Sequence, residues 1–147
     1  MKDWGNMKLL IDTNVVLDVL LRREPFSKTA AEVLNLTQRD DVREYVSASA
    51  ITDIYYIANK QMKDRDAVRD LLKRLLMVVS VVAVSEREIQ NALNLAWGDF
   101  EDSVQYSVAL LNEMDGIVTR NPSDYQEATM RIWLPEQALE LFANEGS

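Results

Sequence analysis

The chain contains no cysteine and no histidine among its 147 residues. Without thiols or imidazoles it forms no disulfide, offers no Cys/His zinc site, and runs neither thiolate nor Ser-His-Asp chemistry. Catalysis is left to carboxylates, hydroxyls, amides, lysine and arginine. Glycine is scarce, with four residues, and none sits in a Gly-rich phosphate loop, which excludes a P-loop nucleotide enzyme. Apolar runs such as Val15 to Leu21 stop far short of the roughly 20 residues that span a bilayer. Positive charge is in deficit, 16 Lys and Arg against 24 Asp and Glu for a net −8. That balance is the reverse of a protein gripping duplex phosphate non-specifically, so any nucleic-acid contact must be local. The cytoplasm is the expected compartment. Residues 1–6 lack an apolar signal core and read as a leader, and 7–147 read as a single domain able to bury a core.

What is present alternates between two periodicities. Lys8–Ile11 reads as a buried strand, and Asp12-Thr13-Asn14 caps a helix to about Leu21. A second helix is expected over 27–38, a strand over Tyr45–Ser47, and a helix capped by Ser49 that carries Ile51, Ile54, Tyr55 and Ala58. Val68, Leu71, Leu72, Leu75 and Leu76 form one apolar stripe of a further helix. Val78–Val84 is β-branched and predicts a strand. Ser85-Glu86-Arg87-Glu88 is a capping box opening a helix with Ile89, Ala92, Leu93, Ala96 and Trp97 inward. Asp99 to Asp102 starts another helix, Gly116–Thr119 and Arg131–Trp133 read as strands, and Pro135 opens a last helix. Such alternation predicts an α/β three-layer sandwich whose mainly parallel sheet has four or five strands flanked by helices. Functional groups then gather past the carboxyl ends of the strands.

Several acids fall at those ends. Each has a plainer role by itself: Asp12 as an N-cap, Asp99, Glu101 and Asp102 as first-turn acids facing a helix dipole, Asp53 on a solvated face, Asp124 in a turn. Jointly, Asp12, Asp53 and Asp124 each follow a strand end and Asp102 opens the helix feeding the fourth strand, so a parallel sheet brings all four to one edge. Packed carboxylates repel and hold protons more tightly unless a cation neutralises them. Magnesium suits such a set, since it takes oxygen ligands and needs only one or two direct carboxylates.

Three segments carry a family resemblance. Leu10-Ile11-Asp12-Thr13-Asn14-Val15-Val16-Leu17-Asp18 resembles the opening of the PIN domain, as in the VapC-like toxins of bacterial toxin–antitoxin pairs. Asp99-Phe100-Glu101-Asp102-Ser103-Val104-Gln105 and Ile117-Val118-Thr119-Arg120-Asn121-Pro122-Ser123-Asp124-Tyr125 are similar to its two downstream motifs, in the same order. The likeness runs from about Met7 to Leu141 and implies a Mg²⁺- or Mn²⁺-dependent endoribonuclease acting on RNA by metal-activated water. It also implies a homodimer held inactive by an antitoxin.

Carried onto this chain, the resemblance makes Asp12 and Asp102 the first and third metal-binding acids. The second family acid is usually Glu, and here the position holds Asp53, one methylene shorter, which reaches a metal through water. The fourth acid commonly stands two residues after the strand-end threonine, where this chain has Asn121. Asn121 adds no charge, so Asp124 substitutes or supports. Asp99 is an additional candidate ligand, three residues before Asp102. Thr119 and Thr13 place hydroxyls near metal or phosphate, and Arg22, Arg23 and Arg120 are the candidate RNA-binding cations. Tyr55, Tyr56 and Trp97 offer rings for base stacking, a role that competes with packing in the core or an interface.

Other readings start from the same residues. In a non-catalytic PIN-like module the acids persist as a weak metal, RNA or protein site, a reading favoured by Asp53 and Asn121. An aspartyl-phosphate enzyme of the haloacid dehalogenase type expects a second acid two residues after Asp12, where Asn14 stands. Apolar residues in the helices between Ser49 and Met77, among them Ile54, Tyr55, Ile57, Met62 and Met77, exceed what one sheet face needs. They are read as a homodimer contact. A basic antitoxin segment would be drawn to the acidic surface and insert an Arg or Lys toward Asp12 and Asp102.

Overall fold

A computed structural model describes residues 6–125 and 127–143. The proposed leader, apart from Asn6, lies outside the described residues, as do the last four of the 7–147 domain. Five strands, β1 (Met7–Ile11), β2 (Val42–Ser47), β3 (Ser80–Val82), β4 (Gly116–Val118) and β5 (Arg131–Trp133), form one sheet in the order β3-β2-β1-β4-β5. Every pairing is parallel. The intervening helices are α1 (Thr13–Leu20), α2 (Ser27–Asn35), α3 (Ala48–Met62), α4 (Arg65–Leu75), α5 (Glu86–Asn94), α6 (Phe100–Leu111) and α7 (Pro135–Glu140).

The pleat sorts β1 between two cores. Met7, Leu9 and Ile11 pack with α1, α2, α3, α4 and α7 on one face. Leu10 packs on the other with Ile117 and residues of α5 and α6, such as Ala92, Val104 and Val108. This is the expected three-layer sandwich. Helix α6 is buried from Ser103 through Ala109, which explains why its polar residues must find partners inside the protein. Gly116 is required on β4 beside β5: a Cβ there would lie 2.6 Å from the Arg131 carbonyl and run into the Trp133 ring.

Local differences from the sequence reading have identifiable causes. Strand β2 begins three residues earlier than expected, because parallel pairing with β1 carries it through Arg43 and Glu44. Strand β3 is shorter than 78–84, because its register with β2 covers only Ser80–Val82. Ser47 rather than Ser49 caps α3, its Oγ accepting from Ala50 N at 3.2 Å. Helix α5 turns Glu88, Ile89 and Ala92 inward, which leaves Leu93 66% exposed, and it ends at Asn94, so that Ala96 beyond it is exposed as well. Ile54 belongs wholly to the core, and Tyr55, Ile57 and Met62 pack partly against it. The exposed apolar residues of this region are instead Tyr56, Leu76, Met77, Val78 and, on edge strand β3, Val81.

Candidate active site

Strand β1 ends at Ile11, and the next residue, Asp12, turns the chain into α1 as its N-cap. Its carboxylate is buried at 8% exposure and fully engaged. Oδ1 accepts from the Thr13 backbone N at 2.8 Å and from Gln105 Nε2 at 3.3 Å. Oδ2 accepts from Thr119 Oγ1 at 2.9 Å and from the Tyr125 hydroxyl at 3.1 Å. These donors come from α1, α6, the end of β4 and the 3-10 turn Pro122–Tyr125. Each donor is itself held. Gln105 Oε1 accepts from Ser47 Oγ at 2.6 Å, and Thr119 Oγ1 accepts from Asn14 Nδ2 at 3.3 Å and from Asn121 N at 3.1 Å. Tyr125 is buried against Trp97, whose ring stacks on Tyr106 at 4.8 Å. Burial first, then the negative charge of Asp12 and Asp102, raises the Tyr125 phenol above its ordinary range, so it remains a proton donor to Asp12.

Asp12 forms the floor of an open cleft of about 740 Å³ past the carboxyl ends of the strands. Five carboxylates line it: Asp12, Asp53 on α3, Glu101 and Asp102 on α6, and Asp124 on the 3-10 turn. Partial burial, followed by the charges of Asp99, Asp124, Asp12 and Glu101, pushes Asp102 up to about 7. Glu101 is raised chiefly by the charge of Asp53, so α3 and the first turn of α6 present like charges to each other. Among the described residues no three acids already stand as a ready-made metal-binding group. The donor set nonetheless fits a hard divalent cation: it is all oxygen, it carries excess negative charge, and Mg²⁺ or Mn²⁺ retains waters that bridge to carboxylates farther off.

The remaining candidates separate by position. Asp99 caps α6, its Oδ1 accepting from Asp102 N at 3.0 Å, and acts on the cleft through its charge. Thr119 is fully buried behind Asp12 and does not line the cleft. Asn121 is exposed and outside the lining. Arg23 borders the cleft, with a 3.8 Å contact to Asp18. Arg22 is exposed beyond it. Arg120 faces away into a bidentate pair with buried Asp18, at 2.7 and 3.1 Å, and its guanidinium lies 4.0 Å over the Phe26 ring. Glu101, Gln105 and Tyr125 are added by the structure. Both Gln105 and Glu101 stand in the motif Asp99–Gln105, but residue by residue Gln105 reads as a polar residue in the apolar stretch of α6 and Glu101 as a first-turn acid like any other.

A parallel three-layer α/β sandwich with a carboxylate-lined cleft at the sheet's carboxyl edge is thus the class that fold and site define. The chain belongs to the PIN domain family, whose model matches residues 8–123. It is 24% identical over 123 residues to Ribonuclease VapC1 of Aquifex aeolicus, covering 80% of this chain and 84% of that protein. Solved structures share the fold at lower identity. VapBC2 from Rickettsia felis, bound to a DNA fragment from its promoter, matches at TM-score 0.62 and 13% identity over 86% of this chain and 99% of that one. VapC20 of Mycobacterium tuberculosis, a sarcin-ricin loop cleaving toxin, matches at TM-score 0.58 and 17% identity over 74% and 86%. Among the described residues no helix is long and apolar enough to cross a membrane.

Proposed function

We propose that this chain is a Mg²⁺- or Mn²⁺-dependent endoribonuclease and the toxin of a toxin–antitoxin pair. The observation that carries the reading is the convergence of Asp12, Asp53, Glu101, Asp102 and Asp124 on one cleft, in a chain without histidine or cysteine to activate a nucleophile otherwise. Asp12 and Asp102, with Asp53 and Glu101 beside them, are the residues that would hold the metal. When bound, the cation supplies Lewis-acid polarisation of a phosphate oxygen and makes a water a better nucleophile. The four hydrogen bonds to Asp12 fix its carboxylate before substrate arrives, so little reorganisation remains at reaction. Gln105 makes the longest of those contacts, at 3.3 Å, and a cation at Asp12 would have to take its place. Arg23, which lines the cleft, would meet a phosphate at its edge.

The antitoxin reading is supported by the acid cleft and by the solved complexes that share the fold. A basic segment entering the cleft would neutralise its carboxylates and exclude metal and RNA. The homodimer reading is supported by Leu76, Met77, Val78 and Val81, exposed by 39–86% around edge strand β3. In the test, purified protein cuts single-stranded RNA with Mg²⁺ or Mn²⁺. Cleavage is lost in chelator and in an Asp12→Asn/Asp102→Asn double variant. Full activity under either condition overturns the reading.

A further inference from the structure

We propose that Tyr56 and Phe100 are base-stacking walls of the cleft, holding unpaired bases on either side of the phosphate that the acids address. This rests on the nuclease reading and specifies how the substrate is gripped. Both rings line the same cleft as Asp12 and Asp102, and they are among its most exposed apolar groups, Tyr56 at 67% and Phe100 at 47%. They flank the acids from opposite layers of the sandwich. Tyr56 lies one helical turn beyond Asp53 on α3, and Phe100 immediately precedes Glu101 on α6. Asp53, Tyr56, Phe100 and Glu101 all line the one cleft, so the two helices face each other across it at this level. Rings left this open contribute little to folding. Neighbouring aromatics are committed elsewhere, Trp97 to Tyr106 and Tyr55 to the core.

Charge explains why such walls are needed. Among the described lining residues Arg23 is the one cation, against five acids, Asp12, Asp53, Glu101, Asp102 and Asp124. Phosphate attraction alone therefore holds a polyanion poorly, even with metal bound. Stacking on an aromatic face contributes affinity independent of charge, and every unpaired base offers that face, whereas a base inside a duplex is already covered by its neighbours. The walls thus favour single-stranded segments and place them along the acids.

The test uses the full chain with Mg²⁺ or Mn²⁺ and single-stranded oligoribonucleotides. Tyr56→Leu and Phe100→Leu keep apolar bulk but remove the ring, and each should raise KM about tenfold while kcat at saturating RNA stays near wild type. Tyr56→Phe and Phe100→Tyr should restore KM. Abasic residues flanking the cleaved bond should raise the wild-type KM by a similar factor and add nothing in the Leu variants. Unchanged KM in the Leu variants overturns the proposal, as does an equal loss on base-bearing and abasic RNA. So does a shift in light-scattering mass without a change in KM, which would assign the rings to a protein contact. Wild-type protein that fails to cut RNA overturns the nuclease reading and this proposal together; active wild type with unaffected Leu variants overturns only this one.

Discussion

Thr119 Oγ1 donates to Asp12 Oδ2 at 2.9 Å, joining the ends of β1 and β4 across 107 residues of chain. The contact sets the first acid of the cleft against a fully buried hydroxyl that touches no substrate-facing surface. On the nuclease reading proposed above, Thr119 acts as a positioning residue. Replacement by valine keeps the shape and deletes the hydroxyl, leaving a buried carboxylate oxygen short of one donor. Thr119→Val should lower cleavage about 10–100-fold and stability by about 1–3 kcal/mol. Thr119→Ser should recover most of both. Steady-state cleavage and urea denaturation read the two effects, and a Val variant equal to wild type in both would show that the bond positions nothing.

Partial burial, and after it the like charges of Asp99, Asp124, Asp12 and Glu101, push Asp102 up to about 7. In metal-free protein its removal relieves repulsion. Asp102→Asn should therefore melt about 3 °C higher than wild type in chelator while losing cleavage in Mg²⁺ or Mn²⁺. Thermal melts with and without metal decide the matter, and a lower melting temperature in chelator would contradict the like-charge account.

Arg120 is paired with Asp18, which is 1% exposed, and covered by Phe26. Truncating Arg120 leaves the buried Asp18 carboxylate with a 3.8 Å contact to Arg23 in place of a bidentate pair, at a cost of about 3 kcal/mol. Arg120→Ala should therefore lose stability with little change in KM for RNA, and Asp18→Asn in the same chain should recover part of that loss. Arg23→Ala should show the reverse, an intact fold and a raised KM. A KM effect confined to Arg120 would return RNA contact to that residue.

Glu44 lies in the core face of β2, 2% exposed, and neither carboxylate oxygen has a partner. Burial pushes it from 4.5 to about 9. The folded chain keeps this proton between those values while the unfolded chain releases it, so stability falls as pH rises through that window and levels off above it. At pH 7.5 the wild type should lose on the order of 3 kcal/mol more, relative to pH 5, than Glu44→Gln does. Denaturant titrations of both proteins at several pH values measure this difference, and parallel profiles would rule it out.

Legibility in the sequence followed the kind of interaction involved. Asp12 was visible because one element dictates its place: a strand of apolar residues ends and a helix must be capped. Asp102 was visible by its motif. Glu101 was hidden because acids are ordinary in a first helical turn, and only the approach of α3 makes this one a wall of the cleft. The first half of β2 was hidden because Arg43 and Glu44 carry no strand signature, and pairing with β1 extends it.

By itself the sequence determined the chemical repertoire, oxygen donors without imidazole or thiol, and the alternation of strands and helices that makes a parallel three-layer sandwich. It did so because residue type and periodicity are properties of single elements. Tertiary structure decided which acids share the cleft, that Thr119 and Tyr125 serve Asp12, that Arg120 turns to Asp18, and that Tyr56 and Phe100 stay open to solvent. Those choices depend on how α1, α3, α6 and the end of β4 approach one another. Periodicity marks the buried face of each element, but the side chains it meets come from distant elements packed against it.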